Sequence, residues 1–95
     1  MNDIIKEKFI KNVVIISNIH MYFIKTARDV ISECKKNNIR INGLEAFKLT
    51  GLGIQPSQEH SIDFKPGTDS WEQAMEFLSN IKDTTYLYEI WYEGY

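Results

Sequence analysis

The stretch DSWEQAMEFLSNIKDTTYLYEIWY, residues 69–92, changes its hydrophobic period part-way along, and that change decides the fold. Trp71, Ala74, Met75, Leu78 and Ile81 recur at helical spacing, which predicts a helix over residues 70–82. Asp69 takes the N-cap position, and Glu72 follows three residues later as a capping-box partner. Asp83 and Thr84 break the pattern. From residue 85 to 92 the alternation is that of a strand. One face carries Tyr86, Tyr88, Ile90 and Tyr92; the other carries Leu87, Glu89, Trp91 and Glu93. Burying two glutamates is costly. The aromatic set is therefore expected against the helices, with Glu89, Trp91 and Glu93 exposed. A one-residue slip reverses that assignment.

Working upstream, residues 59–64 alternate cleanly and read as a strand, followed by a turn at Lys65-Pro66-Gly67-Thr68. Gly51-Leu52-Gly53 and Gln55-Pro56-Ser57 carry turn chemistry. A β pattern starts at Ile39 and runs to Gly43, with residues 44–49 as an extension. Lys35-Lys36-Asn37-Asn38 reads as a helix C-terminus, cations first and then Asn in place of Gly. Residues 4–36 place Phe9, Val13, Ile16, Phe23, Ala27, Val30 or Ile31, and Cys34 at helical spacing, a run too long for one helix in a small domain. A break is expected, with Ser17, Asn18 or Thr26 as a second cap. The β-branched run at residues 13–16 keeps a short strand open. The order implies an α+β fold: a small antiparallel or mixed sheet of about four strands with helices on one face, in a single domain over residues 1–95.

With 95 residues, 43% apolar and 25% charged, the chain suits one ordinary globular core. Cys34 is the only cysteine, so no internal disulfide and no cysteine-based zinc cluster can form. No stretch approaches the ~20 apolar residues of a membrane helix, and the N-terminus lacks a signal-peptide pattern. These features predict a cytoplasmic protein without a membrane partner. Charge is segregated: residues 1–48 hold nine Lys/Arg and five Asp/Glu, whereas residues 49–95 hold two and eight. Such segregation concerns partners more than fold, although pairing between the halves accounts for it equally well.

Catalytic and cofactor motifs are not evident. His60 falls among core residues by alternation, away from Glu59 and Asp63, and His20 sits among apolar neighbours. Two isolated histidines have no metal-ligand spacing. Gly51-Leu52-Gly53 lacks the third glycine of a nucleotide loop. Cys34 lies on an apolar helix face and reads as a small hydrophobe. The expectation is no enzyme, no cofactor and no metal. Direct nucleic-acid binding is not expected either, because the aromatic residues lie in the acidic half, where phosphate is repelled.

The acidic residues form a better-defined pattern. Glu72 and Glu76 are four residues apart on one helix face, with Asp83 beyond, and like charges at that spacing cost about 0.2–0.5 kcal/mol. Acids near the helix start have a structural reason; Glu76 and Asp83 do not. Glu59, Asp63, Asp69, Glu72, Glu76, Glu89 and Glu93, with Trp91 and Tyr95 as anchors, make a candidate docking surface for a basic partner. An ordinary solvated acidic face is the alternative.

The order of pieces over residues 27–92 resembles that of small bacterial immunity proteins: a helix ending in Cys34-Lys35-Lys36-Asn37, a strand from Ile39 to Gly43, a loop with Gly53 and Pro56, a Ser61–Asp63 strand, a helix into Asn80-Ile81-Lys82-Asp83, and an aromatic strand. The similarity is to inhibitors of tRNA-cleaving colicins and of contact-dependent growth-inhibition nucleases. It implies a non-catalytic cytoplasmic protein that binds a basic toxin domain, an RNase, and occludes its active-site cleft; a monomer or weak homodimer is expected. A second reading is a small adaptor that homodimerises through its C-terminal strand.

Overall fold

A computed structural model describes residues 3–65 and 70–93. The elements in chain order are α1 (Ile4–Lys8), β1 (Val14–Ile16), β2 (Ile19–Phe23), α2 (Ile24–Lys36), β3 (Ile41–Thr50), β4 (Gly53–Asp63), α3 (Ser70–Ser79) and β5 (Leu87–Tyr92). The sheet has five strands in the order β1-β2-β5-β3-β4, and every neighbouring pair is antiparallel. The class is α+β as expected, with one strand more than the sequence suggested.

The extra strand comes from the N-terminal third. Ser17 and Asn18, candidates for a helix cap, have φ of 52° and 65°. Two consecutive left-handed residues make the two-residue turn of a twisted hairpin, so the β-branched run pairs with residues 19–23 instead of coiling. Thr26 does not cap a helix; it lies in the first turn of α2, whose N-cap is Phe23. The end of α2 is as read. The amide of Asn38, at φ 56°, donates to the Lys35 carbonyl, and that of Ile39 to the Cys34 carbonyl at 2.7 Å. That pair is a Schellman closure, and Ile39 packs on the core beyond it.

Gln55-Pro56-Ser57 is not a turn but part of β4, which runs from Gly53. Pro56 is tolerated there because β4 is an edge strand and the missing N–H faces no partner. The reversal itself falls at Gly51 and Leu52. The helices cover one face of the sheet. Ala27, Val30, Ile31 and Cys34 of α2 and Ala74 and Leu78 of α3 pack on Tyr22, Leu44, Ala46, Tyr88, Ile90 and Tyr92. Tyr88, Ile90 and Tyr92 thus point where alternation placed them. Trp71 Nε1 donates to the Ile39 carbonyl at 2.7 Å, and Ser70 Oγ accepts from the Ile41 amide at 3.2 Å, fixing the start of α3 to the start of β3.

Tyr88 is fully buried, and its hydroxyl has no hydrogen-bond partner among the described residues. Burial pushes that phenol up to about 12. An unmet buried hydroxyl carries a desolvation penalty, so Tyr88→Phe is expected to stabilise the fold by about 1 kcal/mol in urea unfolding. A loss of stability would mean that the hydroxyl is satisfied.

No helix among the described residues is long and apolar enough to cross a membrane.

Candidate functional site

Among the described residues the second face of the sheet is only half covered. At one end it is apolar and closed by its own packing: Met21, Phe47 and Leu87 are buried together, with Val14 and Ile16 of β1, Ile19 of β2 and Ile54 of β4 packed against them. Toward the other end nothing among the described helices lies on the sheet. There the rows across the strands are set by register. Glu89 of β5 is directly opposite Glu45 of β3, and Gly43 lies between Trp91 on one side and Asp63 on the other.

A wide bulge shapes this region. β4 pairs Ser57 with Ala46 and Ile62 with Leu44, so residues 58–61 loop out opposite Glu45 alone. Ser61 holds the bulge. Its hydroxyl donates to the Ser57 carbonyl at 2.6 Å and accepts from the Ala46 amide at 2.8 Å, replacing the lost ladder bond. His60 is held by the same bulge, with Nδ1 2.8 Å from Ser57 Oγ and its ring stacked on Tyr86 at 4.2 Å. Where the strands part, a cleft of about 200 Å³ opens, walled by Glu45, Ser57, Gln58, Ser61, Asp63 and Trp91. Beside the cleft the Asp63 carboxylate lies over Gly43: a Cβ there would stand 2.8 Å from Asp63 Oδ1 and 3.1 Å from the Ile62 carbonyl oxygen, so this close approach requires glycine.

The candidate residues separate. Asp63, Glu89 and Trp91 come together on the uncovered face. Trp91 is 43% exposed, as expected, but Glu89 is only 6% exposed, which corrects the expectation that it lies outside. The reason is position: Glu89 stands across from the Glu45 side chain and next to the end of β5 that β2 flanks, whereas Trp91 lies beyond the β2 pairing and across from Gly43, which has no side chain to shield it. Glu93 follows β5 and is exposed, its amide bonded to the Arg40 carbonyl. Glu59 is exposed on the bulge and does not line the cleft. Glu72 and Glu76 lie on α3, in the layer on the other side of the sheet. Glu72 pairs with Lys35 of α2, so part of the charge segregation is resolved within the chain. Asp69 and Tyr95 lie outside the described residues.

Glu45 was the residue missed. It sits in the basic half, in a segment read for its apolar face, and only the β3–β5 register reveals that it confronts Glu89. Burial first, and then the charges of Glu89 and Asp63, raise its carboxyl above the ordinary value. The folded state therefore keeps this proton to a higher pH than the unfolded chain does. The stability it contributes is present in acid and lost as pH rises from the unfolded value through the folded one. Glu45→Gln is expected to stabilise the neutral-pH fold by about 0.2–1 kcal/mol, the scale of an unfavourable cross-strand pair. The gain should vanish below about pH 4, where both states are protonated. Urea unfolding at the two pH values checks the sign.

Cys34 is fully buried, and burial pushes its thiol up to about 12, the behaviour of a packed hydrophobe. Among the described residues no group of three or more His, Cys, Asp and Glu is placed to hold a metal ion. Comparison with protein-family models, curated proteins and solved structures gives no significant match to this chain.

Proposed function

We propose that this chain is a cytoplasmic immunity protein that binds a basic toxin domain, a nuclease, and blocks its cleft. The observation that carries the reading is the uncovered half of the sheet, where Glu45, Asp63 and the recessed Glu89 surround an exposed Trp91. Like charges facing each other across strands weaken a sheet. Their benefit lies in a partner whose cations they meet, with the tryptophan as apolar anchor. The docking surface is narrower than the sequence suggested: Glu72 and Glu76 belong to another face and take no part.

Dimerisation through the C-terminal strand is a poorer account. That mechanism needs an unpaired edge, and β5 is paired with β2 through Leu87 and Tyr88 and with β3 from Leu87 to Tyr92. The sheet edges are β1 and β4.

The test is binding to, and survival of, the C-terminal domain of a secreted toxin encoded beside this gene. Tight binding and protection are expected. A toxin domain that neither binds the chain nor is neutralised by it overturns the reading.

A further inference from the structure

We propose that the cleft beside Trp91 receives one arginine side chain of the partner, a refinement that rests on the docking reading above. Three features select the guanidinium. The first is charge: Glu45 and Asp63 line the cleft and Glu89 lies directly across from Glu45, so a cation placed there turns repulsion into attraction.

The second feature is the indole. Gly43 carries no side chain between Trp91 and Asp63, which lets the Asp63 carboxylate lie over that glycine, on the row that leads to the exposed Trp91. An indole bordered by carboxylates suits a planar group that stacks on the ring and bonds carboxylates in its own plane. An ammonium is compact and strongly hydrated, and gains less from either contact.

The third feature is what the rest of the molecule has already closed. The apolar half of this face is closed by packing of Met21, Phe47 and Leu87 with their neighbours, which leaves the charged half for the partner. Of the other depressions that bear carboxylates, those between α2 and α3 and between α1 and α2 contain the chain's own ion pairs, Lys35 with Glu72 and Lys8 with Glu33, and the one beside α3 has Glu76 alone. Among these the cleft at Trp91 is the one that joins two carboxylates to an exposed indole.

The experiment titrates the full chain with N-acetyl-arginine methylamide and with its lysine counterpart, followed by proton–nitrogen correlation spectra. Saturable shifts are expected at the Trp91 indole N–H and the Gly43 amide, with arginine binding about fivefold tighter than lysine. Glu45→Gln, a variant expected to be more stable than the parent, should weaken arginine binding about fivefold, and Trp91→Leu should remove the preference over lysine. Trp91→Phe should keep part of it, and Glu72→Gln should leave it unchanged. Equal responses to both probes, or shifts centred on α2 and α3, overturn the proposal. Loss of the arginine preference in a chain that still binds the toxin domain removes the pocket and keeps the docking reading. An arginine preference in a chain that binds no toxin domain does the reverse.

Discussion

Replacing Trp91 with alanine is expected to weaken binding of the toxin domain at least about 30-fold, which corresponds to about 2 kcal/mol, the scale of an interface hot spot. Trp91 is 43% exposed on a strand whose other residues from Leu87 to Tyr92 are all buried. It therefore projects from a rigid platform, and little conformational freedom is lost when a partner covers it. Because Trp91 is the one exposed residue of β5, the fold depends on it less than on its buried neighbours. Trp91→Ala should cost the fold about 1 kcal/mol, less than it costs binding. The prediction is thus a dissociation: affinity falls further than stability. Calorimetric titration together with urea unfolding measures both. Equal losses in the two would show that Trp91 serves the fold.

The largest effect on stability is expected at the N-terminus. Asp3 does three things at once. Its Oδ1 accepts from the amides of Ile5 and Lys6 at 3.0 and 3.1 Å, capping α1, and its Oδ2 accepts from the Tyr92 hydroxyl at 2.8 Å. The bond to Tyr92 spans almost the whole chain and ties the first helix to the last strand. Burial, and then the bond to Asp3, holds the Tyr92 phenol well above its ordinary range. Losing an N-cap costs about 1 kcal/mol. Losing a hydrogen bond to a charged group costs about 1.5–3 kcal/mol more. Asp3→Ala should therefore destabilise by about 2–4 kcal/mol in urea unfolding. Tyr92→Phe should cost less, since the caps remain. In the double variant the loss should fall short of the sum, because both changes remove the same bond. Strict additivity would show that the Asp3–Tyr92 bond contributes nothing.

Much of this fold was legible because period is a local property. The stripe from Trp71 to Leu78 and the alternation from Leu87 to Tyr92 needed no tertiary knowledge and sit where they were expected, although α3 ends at Ser79, short of Ile81, and β5 starts at Leu87 rather than at residue 85. Asn38 could be read as the end of α2 because a left-handed residue after lysines has few other uses. The hairpin at Ser17 and Asn18 could not. Both residues cap helices as readily as they turn strands, and the choice is made by packing of Val14, Ile16 and Met21 on Leu87, some 70 residues away. The bulge in β4 was hidden for a related reason. Ser61 reads as one more polar strand residue, and its bonds to Ala46 and Ser57 follow only from the pairing of β4 with β3.

The proposed site was half legible. Asp63, Glu89 and Trp91 were marked by composition and alternation. Glu45 was not, because nothing local marks a glutamate that will face another across a strand pair. Glu72 and Glu76 were grouped with the site because sequence shows charge without showing layer. Counting acids along a chain gathers residues from both sides of a sheet, and only register and layer order separate them.

That separation is also the most direct test of the account. Asp63→Lys places a reversed charge on the uncovered face, and Glu76→Lys places the same change on α3; both side chains are exposed, so neither substitution buries a cation. Glu89 is unsuited to this comparison, because a lysine at a position 6% exposed would disturb the fold itself. The measurement is affinity for the toxin domain at two salt concentrations. The account predicts that Asp63→Lys weakens binding at least about tenfold, with the larger loss at low salt, while Glu76→Lys changes it less than about twofold. If Glu76→Lys is the damaging substitution and Asp63→Lys is silent, the partner docks on the helices and the uncovered face of the sheet is not the binding surface.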